Sequence, residues 1–241
     1  MGEVMALREP TSGVPGDASV DTQETGHTLR DGGRILVRSL RPSDRTELAT
    51  QYEELSPSSR RLRFFNAPKH LSGSQLDYLV DVDGVDRFAL GAIMLDEAGQ
   101  PGVGVARCAR DHDDPCTAEA AVTVLDSYCN RGIGTILMTS LVDEARAHGI
   151  TRFTASVMWE NHLLLDSLRA YGAVVVPDEP GVAAVSVELP RESKEFVGSV
   201  LYRVLQIVAG HLGAVAPGCP PTAVLATAER WAGRCGRARE S

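Results

Sequence analysis

Lysine is almost missing from this 241-residue chain: Lys69 and Lys194 are its two, and the formal net charge is −8. A protein that holds nucleic acid normally needs a basic face to displace counterions from phosphates, so this balance argues against a nucleic-acid partner and favours neutral or basic ones. The first thirty residues have no apolar core segment of the kind a secretory leader requires. Cysteine is sparse and odd in number, at Cys108, Cys116, Cys129, Cys219 and Cys235, which speaks against a disulfide framework and for a reducing, cytoplasmic setting. No GxxxxGK[ST] occurs, and the first strand does not feed a GxGxxG, so two familiar phosphate-binding fingerprints are excluded. Cys108, His112 and Cys116 provide three possible metal ligands, but RCARDHDDPC reads better as strand, acidic turn and strand, and no metal is expected.

With 43% hydrophobic and 23% charged residues, the chain has the composition of a globular protein with one main core. Residues 1–30 are rich in Gly, Pro, Ser, Thr and Asp and are expected to form a disordered arm. Arg34 to Leu40 alternates as a first strand, and Arg41-Pro42-Ser43-Asp44 gives a turn with an N-cap ahead of a helix TELATQYEEL. A second helix starts near Ser56-Pro57, with Pro in its first turn, and a third is capped by Ser72. Strands from Arg87, from Val103 and from Thr117 follow, joined by tight turns as an antiparallel meander. A helix over 133–148 ends at Gly149, RFTASVM is a short strand, 161–171 is helical, and two strands around PDEPG fill 173–189. Because a helix crosses from the strand at Thr117 to that at Arg152, these two run parallel in a mostly antiparallel sheet. The expected class is therefore a mixed α/β fold, one sheet flanked by helices.

The chain is organised around TAEAAVTVLDSYCNRGIGT, residues 117–135: a buried strand, a polar turn and a glycine turn at a helix start. Arg131, Gly132, Ile133 and Gly134 stand where backbone N–H groups lack helical partners and the helix dipole is positive, an arrangement suited to phosphate. Glycine there lets an anion approach the amides and tolerates positive φ. The same GxG is also what any tight βα turn looks like, so both readings stand on the motif alone.

The order of elements, with GxG after the fourth strand, resembles the Gcn5-related N-acetyltransferase (GNAT) superfamily over about residues 34–189. The family's pyrophosphate motif [QR]xxGx[GA] falls on Cys129, Asn130, Arg131, Gly132, Ile133 and Gly134, so the glycines match and the first position departs. LSPSSRRLRFF, VDGVDRFAL and AEAAVTV are similar to bacterial, especially actinobacterial, protein lysine acetyltransferases. The resemblance implies acetyl-CoA as co-substrate. Its diphosphate would lie on the glycine turn as far as Thr135, its pantetheine arm would insert between the splayed strands beside Asn161, and an amide from Val124, Leu125 or Asp126 would polarise the thioester. An amine with an unperturbed pKa of about 10.4 must give up a proton. Glu119, on the strand face shared with Ala121 and Thr123, matches the family's general base; the plainer reading is a solvated charge near a strand end.

Many relatives place a tyrosine, as acid to the leaving thiolate, where this chain has Leu168. A thiolate of ordinary pKa, about 8.5, leaves without much help. Cys129 could serve as an acetyl carrier, but direct transfer needs none. No histidine is assigned a role, and Arg60, Arg61 and Arg63 read equally as a solvated basic face or as groups for CoA phosphates. Residues 31–190 are expected to be the acetyltransferase domain and 191–241 a helical extension. Its apolar stripe from Phe196 to Val208 suits packing or homo-oligomer formation better than a membrane. The expected acceptor is a protein lysine; a small amine, or a non-catalytic acyl-CoA-binding module, are the alternatives.

Overall fold

The computed structural model describes residues 24–64, 68–170 and 172–189. The expected C-terminal extension, most of the N-terminal arm and Tyr171 lie outside these. Along the chain come β1 (Thr25–Thr28), β2 (Arg34–Ser39), α1 (Arg45–Glu54), α2 (Pro57–Phe64), α3 (Gly73–Val80), β3 (Arg87–Met94), β4 (Gly102–Arg110) and β5 (Thr117–Val124). Then follow α4 (Ile133–Ala147), β6 (Arg152–Met158), α5 (His162–Ala170), β7 (Val174–Pro177) and β8 (Val182–Glu188). One eight-stranded sheet runs β1-β2-β3-β4-β5-β6-β8-β7. Every pair is antiparallel except β5 with β6.

One boundary differs from expectation. Composition puts Thr25 to Arg30 in the arm, yet β1 pairs with β2 from Thr25↔Val37 to Thr28↔Arg34, and Leu29 is buried in the main core. The ladder bonds and one apolar anchor outweigh a polar composition here, and Asp31-Gly32-Gly33 supplies the reversal, with Gly32 at φ +88°.

Helices cover both sheet faces. On one, the stripe Ile133, Leu137, Met138, Leu141, Val142 and Ala145 of α4 is buried against Ala118, Ala120, Val122 and Val124 of β5 and the matching residues of β3 and β4. Each such aliphatic side chain contributes about 1.5–3 kcal/mol by leaving water. Leu164, Leu165 and Leu168 of α5 join the same core. On the other face, Leu48 of α1 and Leu76 and Val80 of α3 pack on Leu40 and Ala89, while Tyr52, Leu55 and Phe64 close over Leu125.

Local chemistry sets the helix starts. Ser72 Oγ accepts the Gln75 amide at 3.2 Å and the Ser72 amide donates to Gln75 Oε1 at 2.8 Å, a reciprocal cap for α3. Ser56 Oγ accepts the Ser59 amide at 3.1 Å at the head of α2. Asp44 stands at the N-cap of α1, but its carboxylate goes to Arg38, at 2.7 and 2.9 Å, and to the Arg41 amide at 2.8 Å. A largely buried ion pair needs such extra bonds to offset desolvation, and this one ties β2 to the turn before α1.

Candidate active site

The parallel β5–β6 ladder contains Thr117↔Arg152, Ala118↔Phe153 and Glu119↔Thr154. Beyond Glu119, β5 continues to Val124 and β6 to Met158, with β4 and β8 still paired on their outer sides. The two strands therefore diverge at Glu119. The Leu125 amide donates to Val103 O of β4 at 2.9 Å. Since amides alternate along a strand, those of Val122 and Val124 face the opened side. Of the three amides considered for a thioester oxygen, Leu125's is thus already engaged across the sheet, and Val124's is the one on the divergent edge.

Side chains alternate in the same way. Even positions of β5 face α4, while Ala121, Thr123 and Leu125 line a pocket under α1, α2 and α3. Glu119 is half-buried on that same face, two residues along from Ala121.

At the other end of the opening, Gly132 caps α4 at φ +94° and Asn130 sits at φ +64°. Any side chain at Gly132 would be strained, and asparagine tolerates the left-handed region better than most residues. The Ile136 amide makes the first helical bond, to Gly132 O at 3.1 Å. The amides of Ile133, Gly134 and Thr135 precede it at the positive end of a 15-residue helix.

The turn is braced from outside. Arg131 Nε donates to Asp31 Oδ2 at 2.5 Å, and its guanidinium lies 5.5 Å from the Tyr128 ring centroid. Tyr128 in turn donates to Glu97 at 2.5 Å. The Arg131 bond holds the Asp31 carboxyl below its ordinary value, and the Glu97 contact pushes the Tyr128 hydroxyl up. The Arg131 side chain is a strut that ties the turn to the loop between β1 and β2. Cys129 is half-buried, its Sγ 3.5 Å from Leu125 O. Asp126 accepts the Ser56 amide at 2.8 Å and Ser59 Oγ at 2.6 Å, so its carboxylate fastens α2 to the segment entering the glycine turn.

Asn161 lies past the end of β6; its amide donates to Met158 O at 2.9 Å and its carbonyl accepts the Leu165 amide at 3.1 Å, starting α5. Leu168 is 1% exposed within the core, a position that could not present an acid to solvent or substrate. Arg60 reaches back to Leu55 O at 3.0 Å and covers the Tyr52 ring, so it holds the α1–α2 junction. Arg61 bridges to Glu160 at 3.0 Å; the side chain of Arg63 lies outside the described set. His148 sits at the C-cap of α4 with its ring 4.6 Å from Phe88, while His70 pairs with Glu53 at the surface. Burial pushes the Cys108 thiol up to about 12, and Cys116 is exposed. Among the described residues no three His, Cys, Asp or Glu side chains gather as a metal site, and no helix is long and apolar enough to cross a membrane.

Sequence reasoning missed the brace. Asp31 stands just past the arm of disordered composition, and its Asp-Gly-Gly, a hairpin signal, marks a turn but not a partner for Arg131. Tyr128 and Glu97 carry no local signal, because their meeting depends on two turns at one end of the sheet. Arg107, buried on β4 beside the pocket, was likewise unmarked.

Residues 50–169 match the family described as the acetyltransferase (GNAT) family. An acetyltransferase of Pseudomonas aeruginosa is 31% identical over 157 residues, 65% of this chain and 84% of that protein. Acetyltransferase Pat of Mycolicibacterium smegmatis is 32% identical over 162 residues, 67% of this chain and 48% of Pat, so the match spans about half of that relative's length. The crystal structure of the GNAT domain of S. lividans PAT superposes with a TM-score of 0.60 at 29% identity, covering 69% of this chain and 97% of that one.

Proposed function

The chain belongs to the GNAT family of acetyltransferases, and from that premise we propose that it transfers an acetyl group from acetyl-CoA directly to a primary amine, with Glu119 as general base and the ε-amine of protein lysines as the acceptor. The observation that carries this reading is the ladder that ends at Glu119↔Thr154 while β5 runs on to Val124. It leaves an open strand edge between Glu119 and the Gly132 turn. Acetyl-CoA is the co-substrate: the amides at Ile133, Gly134 and Thr135, with the backbone from Cys129 to Gly132, take its diphosphate, and its pantetheine arm follows the opened edges of β5 and β6 toward Asn161.

The chemistry asked of the residues is limited. Glu119, directly or through one water, removes the proton from the acceptor ammonium. The amine nitrogen then bonds to the thioester carbon, and the Val124 amide, facing the opened edge, donates to the oxygen that gains charge, an effect worth about 3 kcal/mol in other acyl transfers. The C–S bond breaks, the departing CoA thiolate takes up the nitrogen's remaining extra proton, and Glu119 returns the first proton to solvent. With Leu168 in the core, no side chain at that position assists departure, and a thiol pKa of about 8.5 makes assistance unnecessary. Cys129 is not a carrier in this scheme.

The pocket beside Ala121 and Thr123 favours a second acceptor class, a small amine that enters a walled space rather than a protein surface loop. Residues 31–190 are proposed as the catalytic domain, and 191–241 as a separate extension. The test is calorimetry with CoA, followed by mass spectrometry of a lysate given labelled acetyl-CoA and either wild type or Glu119→Gln. Saturable CoA binding and label on lysines that is lost in the variant are expected. No affinity for CoA removes the assignment, and equal labelling removes Glu119.

A further inference from the structure

The pocket on the Glu119 face of β5 has largely apolar walls, including Leu48, Tyr52, Leu55, Phe64 and Leu79, and one arginine, Arg107. That arginine is 4% exposed. Its Nη1 donates to Tyr78 O at 3.1 Å, and its Cζ stacks 4.0 Å from the Tyr78 ring centroid. Its Nη2 is fully buried and has no hydrogen-bond partner among the described residues. Nearby Asp81 is taken up by Arg87 at 2.8 Å. Burial pulls the guanidinium below the ordinary arginine value, as expected for a charge removed from water without a matching acid. A buried donor left unmet is costly, so its persistence in the wall of a pocket points to a ligand that meets it.

Register fixes what that ligand is near. Arg107 stands opposite Ala121 in the β4–β5 ladder, with Ala109 opposite Glu119. Arg107 is therefore the diagonal neighbour of both Glu119 and Thr123, a relation that sets the residues roughly 7–8 Å apart on one face, with their Cβ atoms somewhat closer. Ala121, between them on β5, adds only a methyl group to the pocket wall. We propose that Arg107 is the carboxylate-binding residue of the acceptor subsite: the acceptor presents its amine toward Glu119 and a carboxylate to Arg107 Nη2, with its apolar part against the pocket walls.

A carbonyl oxygen would satisfy the free N–H, but a carboxylate also neutralises the buried charge, and a charge-assisted bond is about twice as strong as a neutral one. The carboxylate can come from a free amino acid or from an acidic side chain next to a lysine in a peptide. The inference rests on the acetyl-transfer reading, which places the amine at Glu119.

The experiment compares ligands that differ only in this charge. Leucine and phenylalanine are titrated against leucinamide and phenylalaninamide, and a Glu-Lys peptide against its Gln-Lys counterpart, by calorimetry in the presence of saturating CoA and by kcat/KM with acetyl-CoA. A preference of about tenfold or more for the acid is expected in one arm, and which arm shows it identifies the source. In Arg107→Gln the acid-to-amide ratio falls to about one, and Arg107→Lys restores part of it. Melting temperature and CoA affinity of each variant report whether the Tyr78 contact has been lost as well. The wild-type ligand pairs decide the matter even if both variants fail to fold. Equal affinity for acid and amide in both arms, or a preference that survives in Arg107→Gln, overturns the assignment while leaving CoA binding and amine acetylation standing. Absence of CoA binding overturns the acetyl-transfer reading, and this inference with it.

Discussion

On one face of β5, Ala118, Ala120, Val122 and Val124 meet α4 in a dry apolar core; on the other, Glu119, Ala121 and Thr123 lie toward the pocket roofed by α1, α2 and α3. The two sets are interleaved along eight residues, and they are asked for different things. The even set must fill space, because a void beside α4 has no partner atoms to replace lost contacts. The odd set must leave space, and so carries small residues around one carboxylate. A single strand thereby holds the domain together and lines the site, and the period of two keeps the tasks apart. Mutations on the two faces should consequently fail in different assays.

The sharpest break is expected on the odd face. Glu119→Gln should lower kcat/KM for the amine by roughly 10²- to 10⁴-fold, the usual range for a lost general base, with a melting temperature close to wild type. Steady-state rates alongside thermal melts check it; an unfolding loss equal to the activity loss would erase the distinction between faces. On the even side, Leu137, fully buried in α4, should cost about 2–5 kcal/mol of unfolding free energy when changed to Ala, measured by denaturant titration. Its kcat per folded molecule should change far less than that of Glu119→Gln.

The glycine turn allows a finer cut. Gly132→Ala forces a Cβ onto a φ of +94° and should cost about 1 kcal/mol or more in stability as well as weakening CoA. Gly134 has an ordinary helical position, and a Cβ there would make normal contact with Val124 at 3.5 Å. Gly134→Ala should therefore leave the unfolding midpoint nearly unchanged and raise the Kd for CoA. Equal effects of the two substitutions on stability would show that the turn is held by packing instead of by backbone conformation.

The smallest effect lies away from both faces. Burial alone would raise the Asp83 carboxyl, but the amides of Val85, Asp86 and Arg87, each at 2.8–2.9 Å, and the Arg87 guanidinium outweigh it and hold the group at about 2. A depressed carboxyl stabilises the fold above its unfolded value near 3.9 and loses that contribution as pH falls from about 4 to 2. With the side chain 35% exposed, solvent screening reduces the contribution to about 1 kcal/mol. Acid titration of wild type against Asp83→Asn should show the difference closing over that window.

Much of this was legible before any coordinates. The strands between Arg87 and Val124, the helix start at Ser56-Pro57, the Ser72 cap and the Gly149 stop mark elements whose causes are local, and they appear where expected. The helix between Thr117 and Arg152 dictated one parallel pair, which is the pair observed. Thr25 to Thr28 was not legible, because its strand conformation comes from β2, not from its own residues. Asp44 stands at the N-cap of α1 as the turn predicts, but its carboxylate goes to Arg38, six residues earlier, a partner that arrives only once β2 and the turn are folded together.

The sequence by itself determined the alternation along β5, the glycine turn after it and Glu119 as the acidic residue within that strand, because period, backbone permissiveness and charge are properties of neighbouring residues. The tertiary structure alone decided where β6 leaves β5, that the Leu125 amide is engaged while Val124's faces the opening, and that Asp31, Tyr128 and Glu97 brace the turn. It also buried Arg107 with an unmet donor beside the pocket. Those facts depend on residues tens of positions apart meeting across one sheet, and no local pattern encodes such a meeting.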